Sequence, residues 1–557
     1  MTRFNQRSVR PAVHSPVTTT GERTITHEGA TGHLRDARSE LFLLAVSNFV
    51  GQDAFYEKGG DRDDRYTRLV RKLAVEDPAW TVGLLGWLRG EGNMRTAALV
   101  GAAEFVKARL DAAAAGNLVP DVGAENANGG GWNRQAIAAV LQRADEPGEM
   151  LGYWTSKYGR KLPKPVKRGI ADAVQRLYNE RALLKYDTDS KGYRFGDVLN
   201  LVHASPDPDK PWQGYLFQHA LDRRHGNADE IPEPLKMLRR RAEVSAWPVE
   251  DRRKMLDSHD LAPTFEAAGM TWEALAGWLQ GPMDKAAWEA IIPAMGLMAL
   301  ARNLRNFDEA GVSDTVAAQI CARFADPEQV AKSRMFPFRW WAAYKHAPSL
   351  RWGHALEQAL GHSLANVPRL KGSTLILVDR SPSMFPGYGF STPNSSDITL
   401  AEQAAVFGSA LALRAEKPTL VEFGGESKQL TVPRGGSVLK LIEQYGTIDG
   451  TDIPTAVKKH WFAHDRIVIV TDEQTRPGWL PSNMHRYGGM QETAINDLVP
   501  KATSVYMWNM AGYKPGAMPS GTAGRHTFGG LTDHAFRLVP LLEAGRDADW
   551  PWIQPAA

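Results

Sequence analysis

The chain has 557 residues, with 66 Lys and Arg against 63 Asp and Glu, and a formal net charge of +3. Hydrophobic residues make up 43% and charged residues 23%, ordinary values that exclude a disordered, collagenous or coiled-coil chain. One compact core rarely extends over such a length, so we expect at least two domains or a long repeat array. The near balance of charge excludes a histone-like polycation, but it leaves room for a local basic patch.

The compartment is indicated by what the sequence lacks. Cys321 is the single cysteine, which rules out an intramolecular disulfide and a cysteine-based zinc site and fits a reducing compartment. Residues 1–24 are polar, contain Pro11 and Pro16 and carry no apolar stretch, so we predict a disordered segment and no signal peptide. No apolar run is long enough for a membrane span, and we expect a cytoplasmic protein without a membrane partner.

Residues 25–370 have a helical pattern almost throughout. Apolar residues recur at three- and four-residue spacing, as in residues 79–88, which is typical of amphipathic helices. Asp77-Pro78 and Thr271 have the residue types that begin helices. The predicted helices have roughly 10–15 residues and short connections, which favours an array of helical pairs. No clean repeat period emerges, so an irregular all-helical domain is the alternative.

Residues 371–557 alternate between strand and helix. We predict strands at residues 373–378, 420–423, 466–470 and 505–509, and helices at residues 400–413, 453–462 and 533–542. Continuous apolar strands separated by helices indicate a parallel sheet covered on both faces. In such folds the functional residues lie beyond the carboxyl ends of the strands.

Polar oxygen-bearing residues stand at those strand ends. Asp379, Ser381 and Ser383 follow the first strand, Thr451 stands in a later loop, and Asp472 follows the strand at 466–470. Two carboxylates and three hydroxyls form a hard, all-oxygen set that suits Mg²⁺. Each of these three segments alone is more often a capped turn. The three segments in this order, each at or near a strand end, predict a metal site. A site rich in neutral hydroxyls leaves the ion able to take a further carboxylate or phosphate ligand.

A basic segment stands out in the helical half. Residues 156–194 contain 11 Lys and Arg against four Asp and Glu, a net charge of +7. Pro165 is the expected first helical residue, so Lys167 and Arg168 would lie in a first turn, where cations oppose the helix macrodipole. Cations beside free N–H groups there would bind phosphate. Bases could stack on the interleaved Tyr178, Tyr186 and Tyr193. A solvated helix face without a ligand is the alternative.

Two further features can be explained from their own residues without a ligand. A second basic run, at 239–241 and 252–254, is mixed with acids and is best explained as a surface helix. His203 follows the apolar stretch 198–202, where a single histidine is more often a helix C-terminal cap than a ligand.

The motifs resemble known families in their order along the chain. The oxygen set resembles the metal-ion-dependent adhesion site of von Willebrand factor A domains, in which Ser381, Ser383 and Thr451 would bind the ion directly. Asp379 and Asp472 would complete that site, directly or through water. A helical region before such a domain looks like the Ro ribonucleoprotein autoantigen and its bacterial relatives, the TROVE-domain proteins. Motifs similar to theirs lie at residues 168–179, 197–206, 295–304 and 334–338.

The resemblance implies an architecture and a function. The fold would be a ring-like, HEAT-like α-helical repeat domain at 25–370, followed by a von Willebrand factor A-type doubly wound parallel sheet domain at 371–557. RNA would contact Lys167, Arg168, Lys185, Lys191 and His203, and charge and proximity add Arg194. Single-stranded 3′ ends of misfolded or unprocessed RNA would enter the ring, and a Y RNA would bind outside. Such a protein would be monomeric in a ribonucleoprotein, with a 3′-to-5′ exoribonuclease as a candidate partner.

A second function class is an adaptor for a ring ATPase, with the metal site gripping a partner carboxylate and the helices as a protein-binding scaffold. The net +7 segment distinguishes the two, since an adaptor has no need of it. Motifs for phosphate-binding loops, zinc proteases and hydrolase nucleophiles do not occur. No histidine or glutamate is plainly placed as a base beside the metal site, so we expect no catalysis.

Overall fold

The described residues of this computed structural model fall into two compact units. The sheet unit comprises residues 1–69, 336–342 and 360–557, and the helical unit comprises residues 70–335 and 343–359. The structure describes residues 13–47, 50–118, 131–227, 230–258, 260–347, 349–365, 367–385, 398–433, 436–481, 490–530 and 538–553.

The chain begins with an antiparallel hairpin of two strands, followed by two helices. These are β1 (Thr19–Ile25), β2 (Thr31–Arg35), α1 (Ala37–Ser47) and α2 (Gly59–Glu76). His33 of β2 exchanges backbone hydrogen bonds with Gly516, at 2.9 and 3.0 Å. The hairpin is therefore tied to a segment of the sheet unit that lies almost 500 residues later in the chain.

Residues 78–363, most of which belong to the helical unit, form a series of helices. Asp77 and Thr271 cap two of them as the sequence predicts. Asp77 accepts from the Trp80 N–H at 3.2 Å before Pro78, and Thr271 accepts from the Ala274 N–H at 3.2 Å. The helices are α3 (Pro78–Gly90), α4 (Arg95–Ala114), α5 (Trp132–Val140), α6 (Glu146–Tyr158), α7 (Lys164–Leu177), α8 (Glu180–Tyr186), α9 (Phe195–Val202), α10 (Pro211–His225), α11 (Lys236–Ser245), α12 (Val249–Ser258), α13 (Ala262–Ala267), α14 (Trp272–Leu279), α15 (Lys285–Ile291), α16 (Leu297–Arg302), α17 (Leu304–Glu309), α18 (Asp314–Phe324), α19 (Pro327–Ser333), α20 (Pro337–Lys345) and α21 (Gly353–Ser363).

Helices of this unit pack mainly on their neighbours in the chain. Helix α5 packs on α3, α4 and α7, and α9 packs on α7 and α10. Packing between near neighbours is what an array of helical pairs requires. The ring-like shape stays a prediction.

The sheet unit is built on six strands in the order β10–β9–β6–β3–β4–β5. All neighbours in it are parallel except the edge strand β5, which is antiparallel to β4. Its elements are β3 (Leu370–Asp379), α22 (Leu400–Arg414), β4 (Ala415–Phe423), β5 (Ser427–Leu430), α23 (Val438–Ile442), α24 (Ile453–His460), β6 (Arg466–Thr471), β7 (Gly478–Pro481), β8 (Met490–Thr493), α25 (Ile495–Leu498), β9 (Ser504–Asn509), β10 (Arg525–Gly529) and α26 (Leu538–Glu543).

Both faces of this sheet are covered. Leu375 and Leu377 of β3 pack in one core with α24, while α22 packs against β3 on the other side. Gly408 of α22 allows this approach, because a side chain there would collide with Val378. The four predicted strands are all present, and the helical region with a parallel sheet confirms the predicted fold class.

The unit boundaries differ from the predicted domain boundaries at the N-terminus. Residues 13–24 of the predicted disordered segment are ordered, since β1 lies there and the Ser15 N–H donates to Gly521 O at 2.9 Å. The first 69 residues group with the sheet unit and not with the helical region. The partners of this segment are distant in sequence, so no local pattern could reveal them. The predicted helix at 533–542 is present where the structure describes it, as α26 (Leu538–Glu543), and residues 531–537 lie outside the described residues.

Candidate metal site and nucleic-acid interface

The end of β3 brings the first three predicted metal ligands together. Asp379 is the last residue of the strand, and Ser381 and Ser383 follow in a tight turn. The Ser381 N–H donates to Asp379 Oδ1 at 2.9 Å, and the two serine hydroxyls lie 3.2 Å apart. All three side chains are buried. The turn thus holds a carboxylate and two hydroxyls in one compact group.

Strand β6 is the neighbour of β3 and supplies the second carboxylate. The Thr471 hydroxyl donates to Asp379 Oδ2 at 2.5 Å, which links the ends of the two strands. The next residue, Asp472, is fully buried and accepts from the Gln474 N–H through Oδ1 at 3.0 Å. Its other oxygen, Oδ2, is buried without a hydrogen-bond partner among the described residues. That oxygen is available to a ligand.

The two buried carboxyls are electrostatically unfavourable as anions. Burial and, second, the negative charge of Asp379 raise the pKa of Asp472 to about 7. Burial also raises the pKa of Asp379, although hydrogen bonds from Ser381 and Thr471 oppose the shift. The neighbouring Arg380 guanidinium does not neutralise them by hydrogen bonding, because it donates to the carbonyl oxygens of Ala401 and Gly446, each at 2.6 Å.

Thr451, the fifth predicted ligand, lies in the loop before α24. It is buried, and Gly450 before it has a φ of 67°, a left-handed conformation that glycine adopts freely. Asp452 caps α24 by accepting from the Thr455 N–H at 2.9 Å. The Asp452 carboxylate is therefore engaged in capping α24.

The donor chemistry fits a hard divalent cation. Two buried carboxylates, a partnerless Asp472 oxygen and neighbouring hydroxyls are what Mg²⁺ accepts. In the part of the chain that the structure describes, no group of three or more His, Cys, Asp and Glu is arranged to hold a metal. The predicted site relies instead on serine and threonine hydroxyls, and metal binding stays a prediction.

Residues near the site that sequence reasoning missed come from distant parts of the sheet unit. Glu473 is buried and paired with Arg35 at 2.5 Å. The Tyr56 N–H donates to the Tyr513 hydroxyl at 3.3 Å. Burial raises the pKa of both tyrosines, and the charge of Asp472 adds to the shift. Their contacts join residues more than 400 positions apart, so no local motif signals them.

Helix α7 carries the first predicted RNA contacts. It begins at Lys164, so Pro165 is its second residue and not its first. Lys167 therefore ends the first turn and Arg168 opens the second. The first turn contains no acidic residue. Val166 is buried while Lys164 and Arg168 are exposed, so the helix packs one face and presents cations on another.

The cations farther along the segment divide into free and paired ones. Lys185 is exposed, its Nζ lies 5.2 Å from the centre of the Tyr186 ring, and it forms no ion pair among the described residues. Lys191 is half-buried, with its Nζ 3.5 Å from Asp145 and 3.7 Å from Glu149. Part of the charge at Lys191 is therefore balanced within the unit.

Arg194 has a structural role at the start of α9. Its guanidinium pairs with Asp187 at 3.0 Å and Asp189 at 2.7 Å, and its backbone N–H donates to Asp197 at 3.0 Å. Only 17% of its side chain is exposed. A part in RNA binding stays a prediction, and the ion pairs give the residue a reason to be charged without RNA.

The aromatic and histidine predictions have mixed outcomes. Tyr178 is wrong as a base-stacking residue, because it is 1% exposed and already stacks on Phe195 with ring centres 3.8 Å apart. Tyr186 and Tyr193 remain half-buried. His203 caps α9 in the left-handed conformation, with φ 57° and its N–H donating to Leu199 O at 2.9 Å. Its ring is exposed, and RNA contact there stays a prediction.

The second basic run is largely occupied by the fold. Arg241 donates to the carbonyl oxygens of Ala268 and Gly269 at 3.0 and 2.6 Å. Arg252 is buried against the Trp278 ring. The interpretation of this run as part of ordinary helices therefore agrees with its contacts.

Comparisons with known proteins bear on the whole chain. Residues 269–351 match the family model described as the TROVE domain. The fold is similar to the crystal structure of the Deinococcus radiodurans RO (RSR) protein, with a TM-score of 0.57, 17% identity, and coverage of 90% of this chain and 99% of that chain. A search of curated proteins found no match. The two positive findings confirm the predicted resemblance to TROVE-domain, Ro-like proteins. Within the described residues, no helix combines the length and apolarity that crossing a membrane requires.

Proposed function

We propose that this chain is an RNA-binding protein of the Ro type. It would hold single-stranded 3′ ends of misfolded or unprocessed non-coding RNA, for quality control, decay or ribosomal RNA maturation. The TROVE match and the fold shared with a Ro protein support this class. The observation that carries the proposal is the run of cations from Arg160 to Arg168, which has no ion pairs among the described residues.

The position of these cations supports phosphate as their ligand. Arg160 and Lys161 precede α7, and Lys164, Lys167 and Arg168 lie in its first five residues. The first N–H groups of a helix have no partner inside the helix and carry the positive end of its dipole. Adding cations there lowers stability, by about 0.3–1 kcal/mol each, unless an anion binds. A phosphate backbone would be stabilised by both the N–H groups and the side chains.

The finer parts of the function follow from the same resemblance. A Y RNA or Y-like RNA would bind on the outer surface, with Lys185, Lys191 and His203 as contacts. A 3′-to-5′ exoribonuclease would act on the bound RNA as a partner, and the chain itself would be a monomer without catalytic activity. Asp379, Ser381, Ser383, Thr451 and Asp472 would hold Mg²⁺, whose role is to attract one further anionic ligand.

RNA binding and its dependence on salt test this proposal. A fluorescent duplex with a single-stranded 3′ overhang and the matched blunt duplex are titrated with protein at about 50 to 500 mM salt. We expect preference for the overhang and a log–log slope near −3, because each phosphate contact on a single strand contributes about −0.7. The double variant Lys167→Glu/Arg168→Glu should bind the overhang at least about tenfold more weakly at low salt.

The control is Arg239→Glu, an exposed arginine of the second basic run outside residues 156–194. It makes the same charge change as each half of the double variant and should leave overhang binding nearly unchanged. RNA binding that is absent, or that is indifferent to salt, would contradict the proposal and favour the adaptor function.

A further inference from the structure

A cavity in the helical unit is lined in part by residues of the basic segment. It lies between α6, the end of α8 and the loop before α9, and its volume is about 140 Å³. Its lining includes the buried Tyr178 and Phe195, whose rings stack on each other, and the half-buried Tyr186 and Tyr193. The lining also reaches the exposed Gly192, so the cavity opens on the surface. Pockets for drug-sized ligands have about 300–1,000 Å³, so this cavity has the size for a single flat ring system.

The wall that α6 contributes to the cavity contains two glycines one helical turn apart. At Gly148 a side chain would collide with the Tyr193 carbonyl oxygen, 2.8 Å from the added Cβ. At Gly152 an added Cβ would meet only the Tyr193 ring, at an ordinary contact distance of 3.9 Å. Glycine inside a helix lowers stability relative to alanine. The first glycine is therefore required by packing, whereas the second leaves space in the cavity that packing does not require.

The cavity lining also includes a buried phenol that lacks a partner. Tyr178 is 1% exposed, and its hydroxyl has no hydrogen bond among the described residues. Burial and, after it, the charges of Asp187 and Asp145 raise the pKa of Tyr178, so the hydroxyl stays protonated and can donate. Buried polar groups in folded proteins are nearly always hydrogen-bonded. An unpaired hydroxyl in the lining therefore points to a polar ligand.

A carboxylate and an ammonium group stand side by side in the same lining. About a third of each of the side chains of Glu149 and Lys191 is exposed, 34% and 37%, and Glu149 Oε1 lies 3.7 Å from Lys191 Nζ. The ammonium also lies 3.5 Å from Asp145. Both distances exceed those of hydrogen bonds. Glu149 Oε2 accepts from Arg95, and Oε1 has no hydrogen bond among the described residues. The cavity thus offers an acceptor and a donor next to each other.

We propose that this cavity, called the base pocket below, binds one unpaired guanine base of the RNA. The inference rests on the RNA binding of the proposed function and names the base that is recognised. The Watson–Crick edge of guanine presents a ring N–H, an amino group and a carbonyl oxygen in a row. Glu149 Oε1 accepts from the two nitrogen donors, and Lys191 donates to the carbonyl oxygen. Adenine and cytosine have an acceptor where guanine has its ring N–H, and uracil lacks the amino group.

The neighbouring groups suit the rest of a nucleotide. Unpaired bases stack on aromatic side chains, and Tyr186 and Tyr193 are only half-buried. Lys185 Nζ lies 5.2 Å from the centre of the Tyr186 ring, and this lysine forms no ion pair among the described residues. A base packed on Tyr186 therefore has a free cation close by for its phosphate. The base pocket gives these tyrosines and this lysine a common ligand.

Anisotropy titrations with labelled single strands test this proposal. A short oligouridine and the same strand with one central guanosine are titrated with full-length protein at one salt concentration. The two strands have the same phosphates, so a difference in affinity reports on the base. We expect wild type to bind the guanosine strand about tenfold more tightly, the discrimination of one good two-point base contact. A strand with a central adenosine should bind like oligouridine.

Two variants of the pocket and one control locate the preference. Glu149→Gln replaces the carboxylate by a weaker acceptor, and the guanosine strand should bind about fivefold to tenfold more weakly while oligouridine is unaffected. Gly152→Ala adds a methyl group beside Tyr193 in a helix that alanine favours, so it keeps the fold, narrows the cavity and should reduce the preference about threefold. Glu243→Gln changes an exposed glutamate on α11 that pairs with Arg240, and should behave as wild type.

The outcomes separate the base pocket from RNA binding itself. If wild type binds both strands equally, or if its preference persists unchanged in Glu149→Gln and Gly152→Ala, the base pocket is disproved while RNA binding stands. Saturation-transfer NMR with guanosine monophosphate, and uridine monophosphate as its control, reports on the pocket without RNA. Guanosine monophosphate binding that Glu149→Gln abolishes, in a protein that binds neither strand, would keep the pocket and disprove the RNA function. If neither the strands nor the nucleotide bind, both fail.

Discussion

The metal site in the sheet unit and the basic segment in the helical unit differ in how their charges are used. At the metal site, Asp379 and Asp472 are buried and have no cationic partner by hydrogen bond or ion pair among the described residues. In the basic segment, Lys191 and Arg194 are paired with carboxylates of the same unit. Residue type alone does not reveal this difference.

The two regions therefore differ in how strongly they indicate a bound ligand. Unbalanced buried charge costs free energy that folding must offset, so its persistence points to a ligand. Balanced charge has a structural explanation and does not require a ligand. By this criterion, RNA binding is indicated by Lys167, Arg168 and Lys185 more than by Arg194.

The largest expected effect is on metal affinity. Asp472→Ala removes one of two carboxylates, and we expect Mn²⁺ affinity to fall by about 100-fold or more in calorimetric titration. Overhang RNA affinity should stay within about twofold, because the metal and phosphate contacts would be separate. Glu443→Ala, which changes an exposed glutamate just after α23, is the control. A large loss of RNA binding by folded Asp472→Ala would mean that the ion contacts RNA phosphate.

The metal site could be predicted because its two carboxylates lie at the carboxyl ends of neighbouring parallel strands. Asp379 ends β3 and Asp472 follows β6. These strands are parallel neighbours, so their carboxyl ends meet at one edge of the sheet. The apolar runs in the sequence locate the carboxyl ends of both strands. The contacts of the N-terminal hairpin and of Tyr56 could not be predicted in this way, because nothing in a polar hairpin near the N-terminus signals pairing with residues 472–516.

The basic segment was predicted less well because charge counts ignore pairing. Asp187 and Asp189 lie within seven residues of Arg194, and this proximity was the available signal that its charge is used locally. The burial of Tyr178 had a weaker signal, since aromatic spacing is the same for a core residue and for a stacking one. Side-chain direction decides between them, and it depends on helix packing.

The second prediction asks whether Arg194 is structural. Arg194→Met leaves the buried Asp187 carboxylate with Arg223, whose Nε is 3.3 Å away, so we expect the free energy of unfolding to fall by about 2 kcal/mol. Denaturant titration measures this change, and Arg181→Met, an exposed arginine on α8, should show almost none. A stable Arg194→Met protein with tenfold weaker RNA binding would instead make this arginine an RNA contact.

A buried histidine in the sheet unit gives the third prediction. Burial lowers the pKa of His526 to about 4, and its Nδ1 lies 2.8 Å from the Ser15 hydroxyl. The unfolded chain takes up a proton near pH 6.5 while the folded chain does not, so stability is lost as the pH falls from about 6.5 towards 4. Between pH 7 and 5.5 we expect this histidine to account for roughly 1–2 kcal/mol.

Denaturant titrations of wild type and His526→Gln at both pH values isolate the contribution. The variant should lose less stability on acidification than wild type does. His203→Gln, which changes an exposed histidine of the helical unit, should follow wild type. Equal losses in wild type and His526→Gln would mean that His526 is not kept neutral by the fold.

The smallest expected effect separates free from paired cations within the basic segment. Lys185→Gln removes an exposed lysine without an ion pair among the described residues, and Lys157→Gln removes a lysine whose Nζ lies 2.8 Å from Glu104. If free cations contact phosphate, Lys185→Gln should weaken overhang binding by about 1 kcal/mol and reduce the salt slope by about 0.7. Lys157→Gln should change the slope little, because its charge is already balanced by a carboxylate. Equal reductions for the two variants would show that RNA displaces the internal ion pairs, and that pairing in the RNA-free protein does not identify the contacts.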